Sequence, residues 1–126
     1  DRPVLGSDTV VVIDDTALGK PLDQADFTAT MKRLSGRTHQ VMTAVAIADS
    51  EQVKSCLVVT DVTFKPLCDA EIDAYWHSGE PQDKAGGYGI QGLGGRFVSH
   101  LSGSYFAVVG LPLYETEQLL NEFLRG

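Results

Sequence analysis

Three stretches of the chain have the hydrophobic pattern of β-strands. Residues 4–13 form a nearly continuous β-branched run, which is typical of a central strand buried on both faces. Residues 41–48 are apolar at odd and even positions alike, which predicts an interior strand. Residues 56–64 alternate, so that one face carries Cys56, Val58, Val62 and Phe64. The last two stretches are separated by a short polar break, and we expect them to pair as an antiparallel hairpin.

A helical pattern follows the first strand. Asp23 stands where an N-cap is needed, because its carboxylate can accept from the first backbone N–H groups. Phe27, Met31 and Leu34 follow at spacings of four and three, and Gly36 is placed to end the helix. The pattern therefore predicts an amphipathic helix between the first two strands.

Two further helices are predicted in the second half of the chain. The first begins at Cys68, with Glu71 in the position of a capping box, and ends at Gly79. Its predicted buried side chains are Ile72, Tyr75 and Trp76. The second has Pro112 in its first turn. Its predicted apolar side consists of Leu113, Leu120, Phe123 and Leu124.

Composition restricts the class of protein. The 126 residues are 43% hydrophobic and 21% charged, which fits one folded domain. The net charge of −7 disfavours binding to a nucleic acid polymer, whose phosphates an acidic surface repels. The sequence has no apolar run of about 18 residues, so no membrane-spanning helix is expected. Cys56 and Cys68 fit two reduced thiols better than a zinc site or a disulfide framework.

The segment 83–95 differs from the rest of the chain. It holds six of the 13 glycines, and glycine permits positive φ and close approach of the backbone to a ligand. Lys84 and Gln91 flank this cluster, and an ammonium and an amide beside such a backbone suit an anionic ligand that carries a base. The spacing matches neither a Walker A loop nor a dinucleotide fingerprint.

Two further charged residues are candidates for chemistry. Asp8 interrupts the first strand; it is either a carboxylate satisfied by backbone donors or a general base or metal ligand held by the strand. Lys20 is either a solvated lysine or a phosphate contact. Asp14 and Asp15 are predicted to be turn residues. The three histidines, His39, His77 and His100, lack metal-ligand spacing.

Five motifs resemble those of the Maf family of nucleoside triphosphate pyrophosphatases, in the same order and over essentially the whole chain. They lie at residues 6–10 (GSDTV), 19–21 (GKP), 34–41 (LSGRTHQV), 83–92 (DKAGGYGIQG) and 109–113 (VGLPL). The resemblance implies a single Maf-like domain over residues 1–126. It also implies an elongated α/β fold of the Maf/ITPase type, with a mixed β-sheet flanked by helices and a nucleotide cleft between two lobes.

The resemblance also implies roles for individual residues. Asp8 matches the proton acceptor that activates water, and it is the one expected metal ligand. Lys20 and Lys84 match cations that face the phosphates. Thr9 and Gln91 match the positions that distinguish substrates. The branch that acts on 7-methyl-GTP carries Gln after the catalytic Asp and Glu at the position of Gln91.

The implied function is hydrolysis of dTTP and UTP to the monophosphate and pyrophosphate, a house-cleaning hydrolase activity in nucleotide metabolism. A divalent cation, Mg²⁺ or Mn²⁺, a cytoplasmic location, a homodimer and a link to septum formation are implied as well. Neither a membrane nor a nucleic acid polymer is expected as a partner.

One family motif, a Ser-x-Ser-Pro-Arg-Arg loop near the N-terminus, is not found in this sequence. We therefore interpret the chain as a partial sequence that lacks two phosphate-binding arginines. Two alternatives to an active enzyme follow. One is a non-catalytic nucleotide-binding or septum-formation regulatory module. The other is a fragment that neither binds nor reacts.

Overall fold

The computed structural model describes residues 3–125, which form an α/β fold built on a five-stranded sheet. The strands are β1 (Val4–Ile13), β2 (Thr16–Leu18), β3 (Thr38–Ala48), β4 (Val53–Phe64) and β5 (Val98–Ser102). Their order is β2-β1-β3-β4-β5, and each neighbouring pair is antiparallel. The predicted α/β class is confirmed, and the predicted β3–β4 hairpin is present. The sheet in residues 3–125 is antiparallel throughout, whereas the resemblance implied a mixed one.

Four α-helices accompany the sheet. They are α1 (Gln24–Leu34), α2 (Asp69–His77), α3 (Tyr105–Val108) and α4 (Leu113–Arg125). Short 3₁₀ turns at Glu80–Asp83, Ala85–Gly87 and Leu93–Phe97 shape the glycine-rich segment. No helix within residues 3–125 combines the length and apolar character that a membrane crossing needs.

Local signals in the sequence account for the ends of α1. The Asp23 carboxylate accepts from the backbone N–H of Asp26 at 2.8 Å, as the N-cap prediction requires. Phe27, Met31 and Leu34 are completely buried, which confirms the predicted apolar side. The chain leaves the helix through Gly36, whose φ of 65° is a conformation that glycine adopts without strain.

The helices cover one face of the sheet. Alternate residues of β3 on that face, from His39 to Ile47, are buried, whereas Thr38 and Ala44 on the other face are exposed. The larger core lies under α1 and α2, where Phe27 and Tyr75 pack on strand residues such as Val41. A smaller core joins α4 to the far end of β3 through Val45, Ile47, Leu119 and Phe123. We call these two sides the covered face and the open face.

Two burial predictions are wrong in part. The first half of β1, residues 4–8, is exposed, although its apolar composition predicted burial on both faces. In α4 the buried residues are Thr116, Leu119 and Phe123, while Leu113 and Leu124 are 53% and 73% exposed. Both stretches are apolar, but packing against other elements decides which of their apolar side chains are buried.

Candidate functional site

A cavity of about 490 Å³ lies between the covered face of the sheet and the glycine-rich segment. Its sheet side is formed by Thr9, Val11 and Val41. The opposite wall comes from residues between Glu80 and Gly92, and a third wall from the chain that follows α3, at Val108–Gly110. The cavity is therefore lined by apolar side chains together with several polar ones, which is usual for a small-molecule site.

Thr9 points from β1 to the covered face. Its hydroxyl lies 3.2 Å from that of Thr43 on β3, and the Thr43 hydroxyl donates to the carbonyl oxygen of Ala107 at 2.6 Å. These hydrogen-bonded hydroxyls connect the sheet side of the cavity, which we call the cavity floor, to α3. The neighbouring Ser7 hydroxyl donates to the Gly110 carbonyl and attaches the third wall to the same strand.

Asp8 lies on the open face. It pairs in register with Ala44, while Thr9 pairs with Thr43, and successive side chains of a strand point to opposite faces. Within residues 3–125 its exposed carboxylate forms no hydrogen bond or ion pair. The outer edge of β1 from Val4 to Val10 also has no strand partner in that range, since β2 pairs only with Val11–Ile13. Asp8 and Thr9 thus stand on the two sides of one free strand edge.

Lys84 and Gln91 line the cavity together with Thr9. The Lys84 ammonium lies 3.6 Å from an Asp83 carboxylate oxygen, and its side chain is 41% exposed. Such an exposed ion pair holds Lys84 weakly. Gln91 is exposed, so its amide is available to a ligand. Three of the five predicted site residues are therefore brought to one cavity.

Lys20 does not line this cavity. Its backbone lies close by, because the Gly19 carbonyl accepts from the backbone N–H of Gly86 at 3.1 Å. Gly86 has a φ of 71°, and a Cβ there would lie 2.9 Å from Val11 side-chain atoms. Only glycine therefore fits where the glycine-rich segment packs on β1. The backbone next to Lys20 is therefore tied to the glycine-rich segment, and the Lys20 side chain is exposed.

Glu80 organises the wall that carries Gln91. Its carboxylate accepts from the Leu93 and Gly94 backbone amides at 2.9 and 3.1 Å, and from the Tyr75 hydroxyl. Partial burial on its own would raise the Glu80 pKa. These hydrogen bonds and the charge of Lys84 outweigh that effect and hold the pKa below its ordinary value. For Tyr75, burial and the Glu80 carboxylate raise the hydroxyl pKa, so it stays a donor at neutral pH.

A buried aromatic pair supports the same wall. The His39 ring Nε2 and the Tyr88 hydroxyl are 2.6 Å apart, and Tyr88 lines the cavity. His39 is fully buried and packs edge-to-face on Phe64 and Tyr88. Burial lowers its pKa from 6.5 to about 4, so the ring is neutral at pH 7.

The carboxylates near the cavity do not form a metal site by themselves. In the described part of the chain, no three His, Cys, Asp or Glu side chains are grouped closely enough to hold a metal ion. Both Glu80 oxygens already accept hydrogen bonds, and Asp83 is exposed and paired with Lys84. Asp8 is a single carboxylate. The described residues therefore do not fit a resident divalent cation.

Sequence reasoning missed Glu80 and the role of Tyr75. Tyr75 was predicted to be a core residue, which it is, but its hydroxyl also accepts from the Gly89 backbone N–H at 3.0 Å. The available signal was a carboxylate placed directly before a glycine-rich segment. A segment with so few side chains needs anchors for its backbone amides.

The comparisons agree with the five motifs. The model of the Maf-like protein family matches residues 1–123. The chain is 77% identical over 126 residues to a dTTP/UTP pyrophosphatase of Pseudoalteromonas translucida, covering 100% of the chain and 67% of that relative. It is 64% identical over 124 residues to the dTTP/UTP pyrophosphatase of Vibrio parahaemolyticus; the match covers 98% of the chain and 66% of that relative. It is 62% identical over 122 residues to the dTTP/UTP pyrophosphatase of Aliivibrio fischeri; the match covers 97% of the chain and 64% of that relative. The chain thus spans about two thirds of the length of these curated relatives.

Proposed function

Because the chain belongs to the Maf family, we propose that it acts in the hydrolysis of dTTP and UTP to the nucleoside monophosphate and pyrophosphate. The observation that carries this proposal is the convergence of Thr9, Lys84 and Gln91 on one cavity, although they are far apart in the sequence. The relatives named above bear the same activity in their names.

In this proposal Gln91 recognises the base. A side-chain amide donates and accepts at once, which matches the adjacent O4 and N3–H of thymine or uracil. An ionised glutamate at that position could only accept and would suit a donor-rich guanine edge instead. Thr9 at the cavity floor would limit the depth to which the base enters.

Lys84 and Lys20 would face the phosphates. Lys84 lines the cavity with a weakly held ammonium, and the backbone next to Lys20 is tied to the same glycine-rich segment through Gly19. For Asp8 to reach the triphosphate, the phosphates would have to pass the edge of β1, which separates Thr9 from Asp8. Asp8 would then accept the proton of the water that cleaves the bond between the α- and β-phosphates.

A divalent cation enters this proposal only as a companion of the substrate. Mg²⁺ is commonly bound through one or two carboxylates together with substrate phosphates, and Asp8 is the carboxylate that the resemblance assigns to the metal. The described residues do not form a site for this cation by themselves.

Base recognition is tested by Gln91→Glu. We expect the ratio of UTP to GTP turnover to fall about ten- to a hundredfold, because a repelled hydrogen bond in a pocket costs about 1–3 kcal/mol. Lys20→Ala is the control and should slow all triphosphates alike. Turnover is measured as pyrophosphate release, with the full-length Pseudoalteromonas translucida relative as the reference. An unchanged ratio would show that Gln91 does not select the base.

A second candidate is binding of triphosphates without turnover, as in a regulatory module. It is favoured by the position of Asp8 on the face opposite Thr9. Calorimetry with dTTP separates the two candidates. Heat of binding without pyrophosphate release, in conditions where the reference relative is active, would select the second. Release that is abolished by Asp8→Asn would select the first.

The proposed setting is a cytoplasmic homodimer with a link to septum formation, as the resemblance implies. The oligomeric state is tested by light scattering of the purified chain. A monomeric mass at micromolar concentration would remove the dimer from the proposal.

A further inference from the structure

The glycine-rich wall contains a feature that the proposed roles do not use. Residues 89–94 form a loop that contains Gln91. One end of this loop is held by the Tyr75 side chain and the other end by the Glu80 side chain. The Gly89 N–H donates to the Tyr75 hydroxyl, and the Leu93 and Gly94 N–H groups donate to the Glu80 carboxylate. Tyr75 and Glu80 are themselves hydrogen-bonded. The loop is thus closed by one connected network.

The loop is built to admit this carboxylate. A Cβ at Gly92 would lie 1.8 Å from Glu80 Oε1, so any other residue would displace Glu80. Ile90 of the loop packs against the larger core and the Gly92 N–H donates to the Gly89 carbonyl oxygen at 3.3 Å, whereas Gln91, Gly92 and Leu93 are exposed. The exposed part of the loop is therefore held mainly by hydrogen bonds, and those to Glu80 and Tyr75 fix its two ends.

The backbone of Lys84, the proposed phosphate contact, is held independently of this network. The Lys84 N–H donates to the Pro81 carbonyl at 3.2 Å, and the Lys84 carbonyl accepts from Gly87 at 2.9 Å. Neither bond involves the loop 89–94. Loss of the Glu80 network would therefore loosen the position of Gln91 while the Lys84 backbone stayed in place.

We propose that Glu80, acting with Tyr75, is a positioning residue for base selection: it fixes the loop 89–94 so that the Gln91 amide meets the pyrimidine edge. The inference rests on the proposed function, because it assigns to Gln91 the recognition of the base. Glu80 itself touches the loop rather than the substrate.

The test is Glu80→Gln. The amide has nearly the same shape, but one oxygen becomes an NH₂ donor. Leu93 donates to one oxygen, and Gly94 and Tyr75 donate to the other, so either orientation of the amide sets a donor against a donor. Tyr75→Phe is the second variant, since it keeps the buried ring and removes the hydroxyl between Glu80 and Gly89.

Glu71→Gln is the matched control. Its carboxylate also accepts from a backbone amide, that of Cys68, and from the Lys65 ammonium, but it does not line the cavity. Glu71→Gln changes the net charge by the same amount as Glu80→Gln. Calorimetry would measure binding of non-hydrolysable analogues of dTTP and dGTP, and of inorganic triphosphate, to the intact chain.

We expect Glu80→Gln to lower the dTTP to dGTP affinity ratio about tenfold, with a smaller effect in the same direction for Tyr75→Phe. Binding of inorganic triphosphate should be unchanged or tighter, because the Lys84 ammonium loses a nearby negative charge. Glu71→Gln should leave the ratio unchanged.

Three results would overturn the proposal. The first is an unchanged ratio in both Glu80→Gln and Tyr75→Phe. The second is an equal loss for inorganic triphosphate and dTTP, which would show a general disturbance of the site. The third is a wild-type chain without preference for dTTP, which identifies failure of the proposed function rather than of the Glu80 network.

Discussion

The two faces of the sheet use the same strands but differ in what lies against them. On the covered face His39, Thr43 and Val45 are completely buried under helices. On the open face Leu57 and Val59 of β4 are 61% and 47% exposed. The sequence of β3 is apolar on both sides, so hydrophobicity does not distinguish the faces; the helices do.

The comparison bears directly on the candidate site. Thr9 and Asp8 are adjacent in sequence, yet Thr9 forms the cavity floor and Asp8 lies on the open face. A site that needs both must therefore reach across the free edge of β1. Strand alternation separates the residues proposed to select the base from the one proposed to accept a proton.

The largest expected effect is on the free energy of unfolding, and it distinguishes two substitutions that shorten an apolar side chain. Phe27→Ala empties the centre of the covered core, where Phe27 packs on Tyr75 and Trp76, and should cost about 3–5 kcal/mol of the free energy of unfolding. Leu57→Ala on the open face should change it by about 0.5 kcal/mol. Urea unfolding measures both. Equal losses would show that the open face is as tightly packed as the covered one.

The next effect is a pH dependence of the free energy of unfolding, which arises from a histidine on the covered face. The pKa of buried His39 is lowered from 6.5 to about 4, so the unfolded chain binds the extra proton below pH 6.5. Stability should therefore fall as the pH is lowered from 6.5 to 4, by about 3 kcal/mol from this group.

The pH effect is measured as the free energy of unfolding of wild type and two variants at several pH values. His39→Gln should flatten the dependence in this window. His100→Gln, at an exposed position paired with Thr63 on the open face, should leave it in place. If His39→Gln retains the wild-type slope, the dependence comes from other groups.

The smallest effect compares two cross-strand threonine pairs. Thr43→Val removes a buried hydroxyl that bonds Thr9 and Ala107, and should cost about 1–2 kcal/mol. Thr63→Val removes the hydroxyl that lies 2.7 Å from that of exposed Thr38, and should cost less than about 0.5 kcal/mol. Chemical denaturation of the two variants measures the difference. A larger loss for Thr63→Val would contradict the distinction between the faces.

Local signals in the sequence were sufficient for several elements. Asp23 capped α1 as predicted, because an N-cap depends on the few residues beside it. The turn at Asp14 and Asp15 formed with φ values of 51° and 60°, which aspartate tolerates better than most residues. The composition of the glycine-rich segment alone indicates a ligand-binding segment, and residues of this segment line the cavity.

What only the tertiary structure decided is how distant residues meet. The sequence predicted β1 as a strand, whose successive side chains point to opposite faces, but the placement of α3 over Thr43 decided that Thr9, and not Asp8, faces the cavity. Likewise, α4 buried Thr116 and left Leu124 exposed, because its neighbours on β3 lie on one side only. The network of Glu80 with Leu93 and Gly94 joins residues that share no local pattern. Backbone propensity acts over a few residues, whereas burial and hydrogen bonding depend on which elements the fold brings together.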